Sequence, residues 1–184
     1  MFRAKIMAKV LNNVNLDRLA KTVETAKNDK SALRKKIGLH GMWILDESTG
    51  YQFRTEMSYE TGKQTIEIDS PSFLGGNGNR PGPMAYCVTG MASCFVSTFA
   101  SVAAVQGVKL EKLEVEAECI VNFSKTLDVA DEPIVEGIRI RLVVESEADE
   151  ATLHKILEMA EERCPAIYTM SHMIPVTTEI ERNK

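Results

Sequence analysis

PGPMAYCVTGMASCFVSTFASVAAVQGVKLEKLEVEAECIVNF, residues 81–123, is the stretch that decides the fold. From Pro81 to Val108 it carries no charged residue. Pro83 suits the first position of a helix, where a missing N–H costs nothing, and Gly107 suits its end. The pattern predicts a helix from Met84 to Gln106 that is apolar on nearly every face, which marks a buried helix. Its length also fits a membrane span. Against a span stand five hydroxyls (Thr89, Ser93, Ser97, Thr98, Ser101), the lack of a flanking aromatic belt, and the position of the segment between strand patterns. Beyond Gly107 the period changes to two. Leu113, Val115, Ala117, Cys119 and Val121 share one face, with Glu114, Glu116 and Glu118 on the other, which predicts a half-buried strand over Glu111 to Phe123.

Working outward, Leu39 to Leu45, Tyr51 to Tyr59 and Gln64 to Ile68 read as strands of an antiparallel meander, separated by the turn-rich DESTG and ETGK. DSPSFLGGNGNRPGP then reads as a loop. Its Gly75-Gly76-Asn77-Gly78 stretch lacks the lysine of a phosphate-binding loop, so it is taken as a connection. Downstream, Ile134 to Val144 alternates as a second long strand. Asp149 to Arg163 is an amphipathic helix stopped by Pro165, and a last strand is expected near Pro175 to Ile180. Upstream, Asn15 to Lys36 has helical spacing, with Asn15 or Asp17 as cap. Strands and helices fall into two strand-then-helix blocks, which makes the class α+β with mainly antiparallel sheet. The 184 residues are expected to form one domain, residues 39–184 as core and residues 1–38 as a helical extension.

Composition narrows the function. A formal charge of -4, from 22 basic and 26 acidic residues, argues against a nucleic-acid or anionic-membrane surface. The N-terminal MFRAKIMAKVLNN has its apolar run broken by Lys5 and Lys9 and is followed by no small-residue cleavage site, so a cytoplasmic chain is expected. In that reducing compartment the four cysteines, Cys87, Cys94, Cys119 and Cys164, are free core residues or catalytic ones. No CxxC occurs.

Cys94 lies in the middle of the buried helix. Cys164 follows Ala160 by four residues and so continues the apolar stripe of the later helix. Each block thus turns one cysteine inward. They form either a redox pair, which needs Cα atoms within about 7 Å, or two thiols that only fill space. Cys87 and Cys94 are seven residues apart on one helix, about 10 Å along its axis, too far for a disulfide. Met84, Cys87, Met91 and Cys94 form a stripe too long to serve one metal ion. His40, His154 and His172 have no spacing of a metal site or triad.

Within the quoted stretch, GPMAYCVTGMASCFVSTFASVAAVQGVKLEKLEVEAE, preceded by IDSPSFLGG and followed much later by ERCP, resembles the OsmC/Ohr family of organic hydroperoxide reductases. The shared pattern is a GG loop, a Gly-Pro-x-Pro-like helix start, small-Ser-Cys in the central helix, Gly before an alternating strand, and Cys-Pro after the second helix. NNVNLDRLAKTVETAKND is similar to the helical extension of one branch. The resemblance implies an OsmC-like fold with buried central helices, an intertwined homodimer, and a peroxidase with no metal or organic cofactor. Its substrate would be an organic hydroperoxide and its reductant a dithiol. Cys94 falls at the position that attacks the peroxide, Cys164 at the resolving position, and Arg54 at that of the arginine that holds the thiolate. One position departs. Met84 stands where the family's peroxidases have a glutamate that orients the arginine. Glu56 or Glu47 would have to replace it, and Arg80 offers a second cation or is a solvated loop residue. The departure leaves two rivals: a non-catalytic protein that binds a small apolar ligand at the dimer interface, and a cysteine redox sensor.

Overall fold

The computed structural model describes residues 9–182. Its elements in chain order are β1 (Val10–Leu11), β2 (Val14–Asn15), α1 (Leu16–Asn28), β3 (Gly41–Trp43), β4 (Phe53–Tyr59), β5 (Gly62–Ile68), α2 (Pro83–Val105), β6 (Lys112–Val121), β7 (Val135–Glu145), α3 (Glu150–Arg163) and α4 (Pro165–Ser171). The class is α+β with antiparallel sheets, β3-β4-β5 and β6-β7. The described residues divide into two compact units, residues 15–89 and residues 9–14 with 90–182.

In the first unit, β4 and β5 form a tight hairpin with Tyr59 opposite Gly62, and β3 adds to the other side of β4. Cross-strand partners share a face. Arg54 therefore lies on the same face as Met42 and Glu67, its partners on β3 and β5. A Cβ at Gly41 would meet the tip of the Phe53 ring at 2.1 Å, so any other residue there needs that ring to move. The first helix is shorter than its periodicity predicts. Asn15 caps it by accepting from the Arg18 N–H at 2.9 Å, as expected. It ends at Asn28 because Asp29 is extended and turns its carboxylate to the Ser31 N–H, starting a separate 3-10 turn over Lys30–Leu33.

The second unit holds the core. Phe95, Phe99, Val102 and Ala103 of α2 pack with Ile156 and Ala160 of α3 and with Cys164, and the β6-β7 ribbon covers them through Leu113, Ile140, Leu142 and Val144. α2 is long and apolar enough to cross a membrane. Only a stripe of it is buried within the chain: Met91, Phe95, Phe99 and Val102 recur every three or four residues, with Ala103 and Ala104 beside them. The uniformly apolar helix expected from the sequence therefore has further faces that its own chain leaves partly open.

Pro165 does end α3, but it also opens α4, at whose N-terminus its ring is pre-set for helical φ. The strand expected over Pro175 to Ile180 is not formed. Those residues carry no strand assignment, and Val176 and Ile180 are 86% and 97% exposed. Pro175 removes one ladder donor, and no described strand pairs with the segment.

A two-bond clamp ties the start of the second unit to its β6 entry. Asn12 donates from Nδ2 to the Val108 carbonyl at 2.8 Å and accepts the Leu110 N–H on Oδ1 at 2.9 Å, so one side-chain amide imitates a strand residue. Asn12 itself has φ 52°, which asparagine tolerates better than most residues. Asn12→Ala should lower stability by about 1–3 kcal/mol, because it strands two part-buried backbone groups and strains φ. Urea unfolding measures this. Asn12→Gly relieves only the strain and should recover the smaller share.

Candidate active site

Cys94 sits on α2 between Met91 and Phe95, in the wall of the core. Cys164 stands at the break between α3 and α4, serving as the C-cap of one and the N-cap of the other, with extended backbone (φ -79°, ψ 118°). That break exists because Pro165 follows, and Cys164 is fully buried there, one helical step beyond Ala160. The two sulfurs are 3.6 Å apart, the Cys164 thiol donating to the Cys94 sulfur. A 70-residue separation in sequence is thereby reduced to van der Waals contact. Both thiols are free, so a shift of about 1.5 Å would bring the sulfurs to disulfide length. The spacing placed both thiols inward, and the contact is compatible with either reading it left open, a redox pair or two thiols that fill space.

The surroundings set the chemistry of Cys94. Burial pushes its thiol above the ordinary range, and the neighbouring Cys164 adds to the rise. A backbone N–H from Ala166, in the first turn of α4, opposes it. The second unit alone therefore leaves Cys94 a thiol at neutral pH. A nucleophilic thiolate needs a cation from elsewhere.

Arg54 lies in the first unit, on β4. Its register partner on β5 is Glu67, a carboxylate on the same sheet face that sequence reasoning did not name beside Glu47 and Glu56. Glu67 accepts from Arg80 at 3.0 Å, and the Arg80 guanidinium also lies 5.9 Å over the Tyr51 ring. Arg80 is thus a paired residue and not a bare loop cation. Glu56 goes to Lys63 at 3.4 Å, while Glu47 opens the 3-10 turn Glu47–Thr49. The hairpin turn was the available signal: once Glu60-Thr61 is taken as a two-residue turn, Glu67 must face Arg54. Met84 lies in the first turn of α2, half-buried.

Asp69 was also missed. It is 1% exposed and holds the glycine loop from inside, its Oδ2 accepting the Asn77 and Asn79 N–H groups at 3.0 Å each. Two amides of that loop thus already serve an internal carboxylate, which fits its reading as a connection. Among the described residues no group of three or more His, Cys, Asp and Glu side chains is placed to hold a metal. His40 offers its carbonyl to the Thr55 hydroxyl at 2.8 Å, His154 shares Nδ1 with the Glu150 carbonyl at 2.9 Å, and His172 stacks on Tyr168 at 4.0 Å.

The second unit also carries an apolar groove of about 840 Å³ lined by Phe95, Phe99, Ile140, Leu142 and Leu157, with His154 and Glu161 at polar positions. Neither cysteine lines it.

Comparison with known proteins agrees with this architecture. Solved structures of the same fold include the OsmC-like protein of Mycoplasma pneumoniae (19% identity, TM-score 0.55, covering 76% of this chain and 89% of that one). Another is the organic hydroperoxide resistance protein OsmC of Legionella pneumophila (20%, 0.53, 74% and 91%). A third is an organic hydroperoxide resistance protein of Elizabethkingia anophelis with thiocyanate bound (16%, 0.52, 75% and 91%). At these identities the likeness is one of fold. No curated protein matches the sequence. The profile of the OsmC-like protein family matches residues 76–179, more than half the chain and the span that holds both Cys94 and Cys164. The chain belongs to the OsmC-like protein family.

Proposed function

We propose that the protein is a thiol-dependent peroxidase that reduces organic hydroperoxides, working as a cytoplasmic homodimer with a dithiol as reductant. The observation that carries this reading is the 3.6 Å contact between Cys94 and Cys164. In the proposed cycle the Cys94 thiolate attacks the distal oxygen of ROOH. The O–O bond breaks, ROH leaves with the proton supplied from solvent, and Cys94 becomes a sulfenic acid. The Cys164 thiol then attacks the Cys94 sulfur, forming the S–S bond and releasing water. An external dithiol returns both cysteines to thiols and is itself oxidised to a disulfide. The dimer is supported by the faces of α2 left partly open within one chain. The test of the reading is consumption of cumene hydroperoxide by the reduced protein with dithiothreitol as the only reductant.

Arg54 is assigned the task of holding the Cys94 thiolate. The sign of its effect follows from the site. Burial raises the Cys94 thiol, and an engaged guanidinium lowers it by favouring the anion. Arg54→Gln should therefore move the pH midpoint of Cys94 alkylation upward, above the ordinary thiol range, while the wild-type midpoint lies below it. Iodoacetamide kinetics against pH check this. Identical profiles for the two proteins would remove Arg54 from the site.

The apolar groove favours a second reading, binding of a small apolar ligand without turnover. Met84, at the place of the family's glutamate, points the same way. Under that reading the protein would bind such a ligand but leave cumene hydroperoxide unreduced.

A further inference from the structure

The whole-chain charge of -4 hides a segregation. Residues 1–36 carry 10 basic and 3 acidic side chains, a formal charge of +7, and residues 37–184 carry 12 and 23, a charge of -11. Among the described residues the basic part is α1 and the run after it, Lys30-Ser31-Ala32-Leu33-Arg34-Lys35-Lys36-Ile37. α1 packs by its apolar stripe: Leu16 and Leu19 are half-buried and Ala26 is buried. Arg18 and Lys21 lie on the opposite side of the helix and are exposed. From Lys27 onward most of the charge is uncompensated. Lys27 pairs with Glu24 at 2.8 Å, but Lys30, Arg34 and Lys35 make no ion pair among the described residues. Asp29, the acid in their midst, is turned to the Ser31 N–H and hydroxyl at 2.9 and 2.6 Å. Apolar side chains stand among these cations. Leu33 is 56% exposed and Ile37 95%. From Leu33 to Gly38 every residue is exposed, and a Cβ added at Gly38 would meet nothing within 4 Å.

We propose that this segment docks the protein on an anionic lipid surface. Lys30, Arg34 and Lys35 meet the head groups, and Leu33 and Ile37 enter the boundary of the acyl region, as in an interfacial anchor. The charge of -11 on the rest of the chain opposes docking through any other face. Charge complementarity alone suits any polyanion, and two observations favour lipid. An almost fully exposed isoleucine beside cations gains nothing on a phosphate backbone, whereas a bilayer removes it from water. No Phe, Tyr or Trp lies between residues 9 and 42 to stack on a base. Neither the cysteine pair nor Arg54 takes part, so the proposal stands whether or not the protein turns over peroxide.

The experiment is co-sedimentation of the full chain with vesicles of phosphatidylcholine, either alone or with one third phosphatidylglycerol. Binding to the anionic vesicles should be about tenfold or more tighter and should weaken steadily as salt is raised. Lys30→Gln, Arg34→Gln and Lys35→Gln together should weaken it about tenfold or more. Lys36 lines the groove beside Arg54 and is left in place, so that the proposed active site is undisturbed. Ile37→Ser should weaken binding several-fold and keep its salt dependence. All four positions are exposed and lie outside α1 and the strands, and circular dichroism checks that each variant is folded. Equal binding to the two kinds of vesicle, or none to either, overturns the proposal. So does unchanged binding in the triple variant. Unchanged binding in Ile37→Ser, with an oligonucleotide bound as tightly as the anionic vesicles, would give the segment to nucleic acid. A dimer that Ile37→Ser turns into a monomer would give it to contact between copies of the chain. Either result also overturns the lipid assignment.

Discussion

The disulfide-linked form, with Cys94 joined to Cys164, should be more stable than the reduced form by about 4 kcal/mol, the largest stability change we expect from any single modification. The bond would close a loop spanning 70 residues, and the chain-entropy relation for such a loop gives about 4 kcal/mol through restriction of the unfolded state. Strain lowers this figure. The sulfurs must approach by about 1.5 Å from their present 3.6 Å. Cys164 is fully buried at a helix junction and Cys94 is held by α2, so the approach is made against packed neighbours. Urea unfolding of the oxidised and the reduced protein measures the difference, and Cys164→Ala should make stability insensitive to reductant. A smaller positive gain would measure the strain. A loss of stability on closure would show that the reduced packing, and not the disulfide, is the state the fold is built for.

Cys94→Ser should abolish hydroperoxide consumption, because a serine hydroxyl is not ionised at accessible pH and does not attack the O–O bond. Cys164→Ala should behave differently. Its Cys94 still meets the first equivalent of peroxide but has no thiol 3.6 Å away to trap the sulfenic acid. Turnover should fall to the rate at which an external thiol reaches a half-buried sulfur, and excess peroxide should drive Cys94 on to sulfinic acid, which dithiols do not reverse. Intact-mass spectrometry distinguishes the outcomes: two added oxygens in Cys164→Ala, none retained in the wild type. Equal activity in the wild type and Cys94→Ser would place the chemistry elsewhere or remove it.

Much of this site was legible from residue spacing, because helical periodicity reports direction. Ala160 to Cys164 is one helical step of four, which points the sulfur where Ile156 and Ala160 already point. Distance was not legible, since no local pattern states how two elements pack. The break at Pro165 was visible, but its consequence was misread: proline forbids the preceding residue from continuing a helix and also favours a new one. The strand expected near Pro175 rested on alternation alone, and alternation supplies no partner for the ladder. Glu67 and Asp69 escaped for related reasons. Glu67 matters only through the β4-β5 register, and Asp69 only through a loop that folds back on it. Both are contacts made between elements.

The most direct test of the account is peptide mapping of the folded protein after one equivalent of cumene hydroperoxide, under non-reducing conditions with free thiols alkylated. The account expects a single cross-linked peptide pair joining Cys94 to Cys164, with Cys87 and Cys119 recovered as alkylated thiols. Cys94 recovered as sulfinic acid with Cys164 still alkylatable, or a cross-link through Cys87 or Cys119, would contradict it.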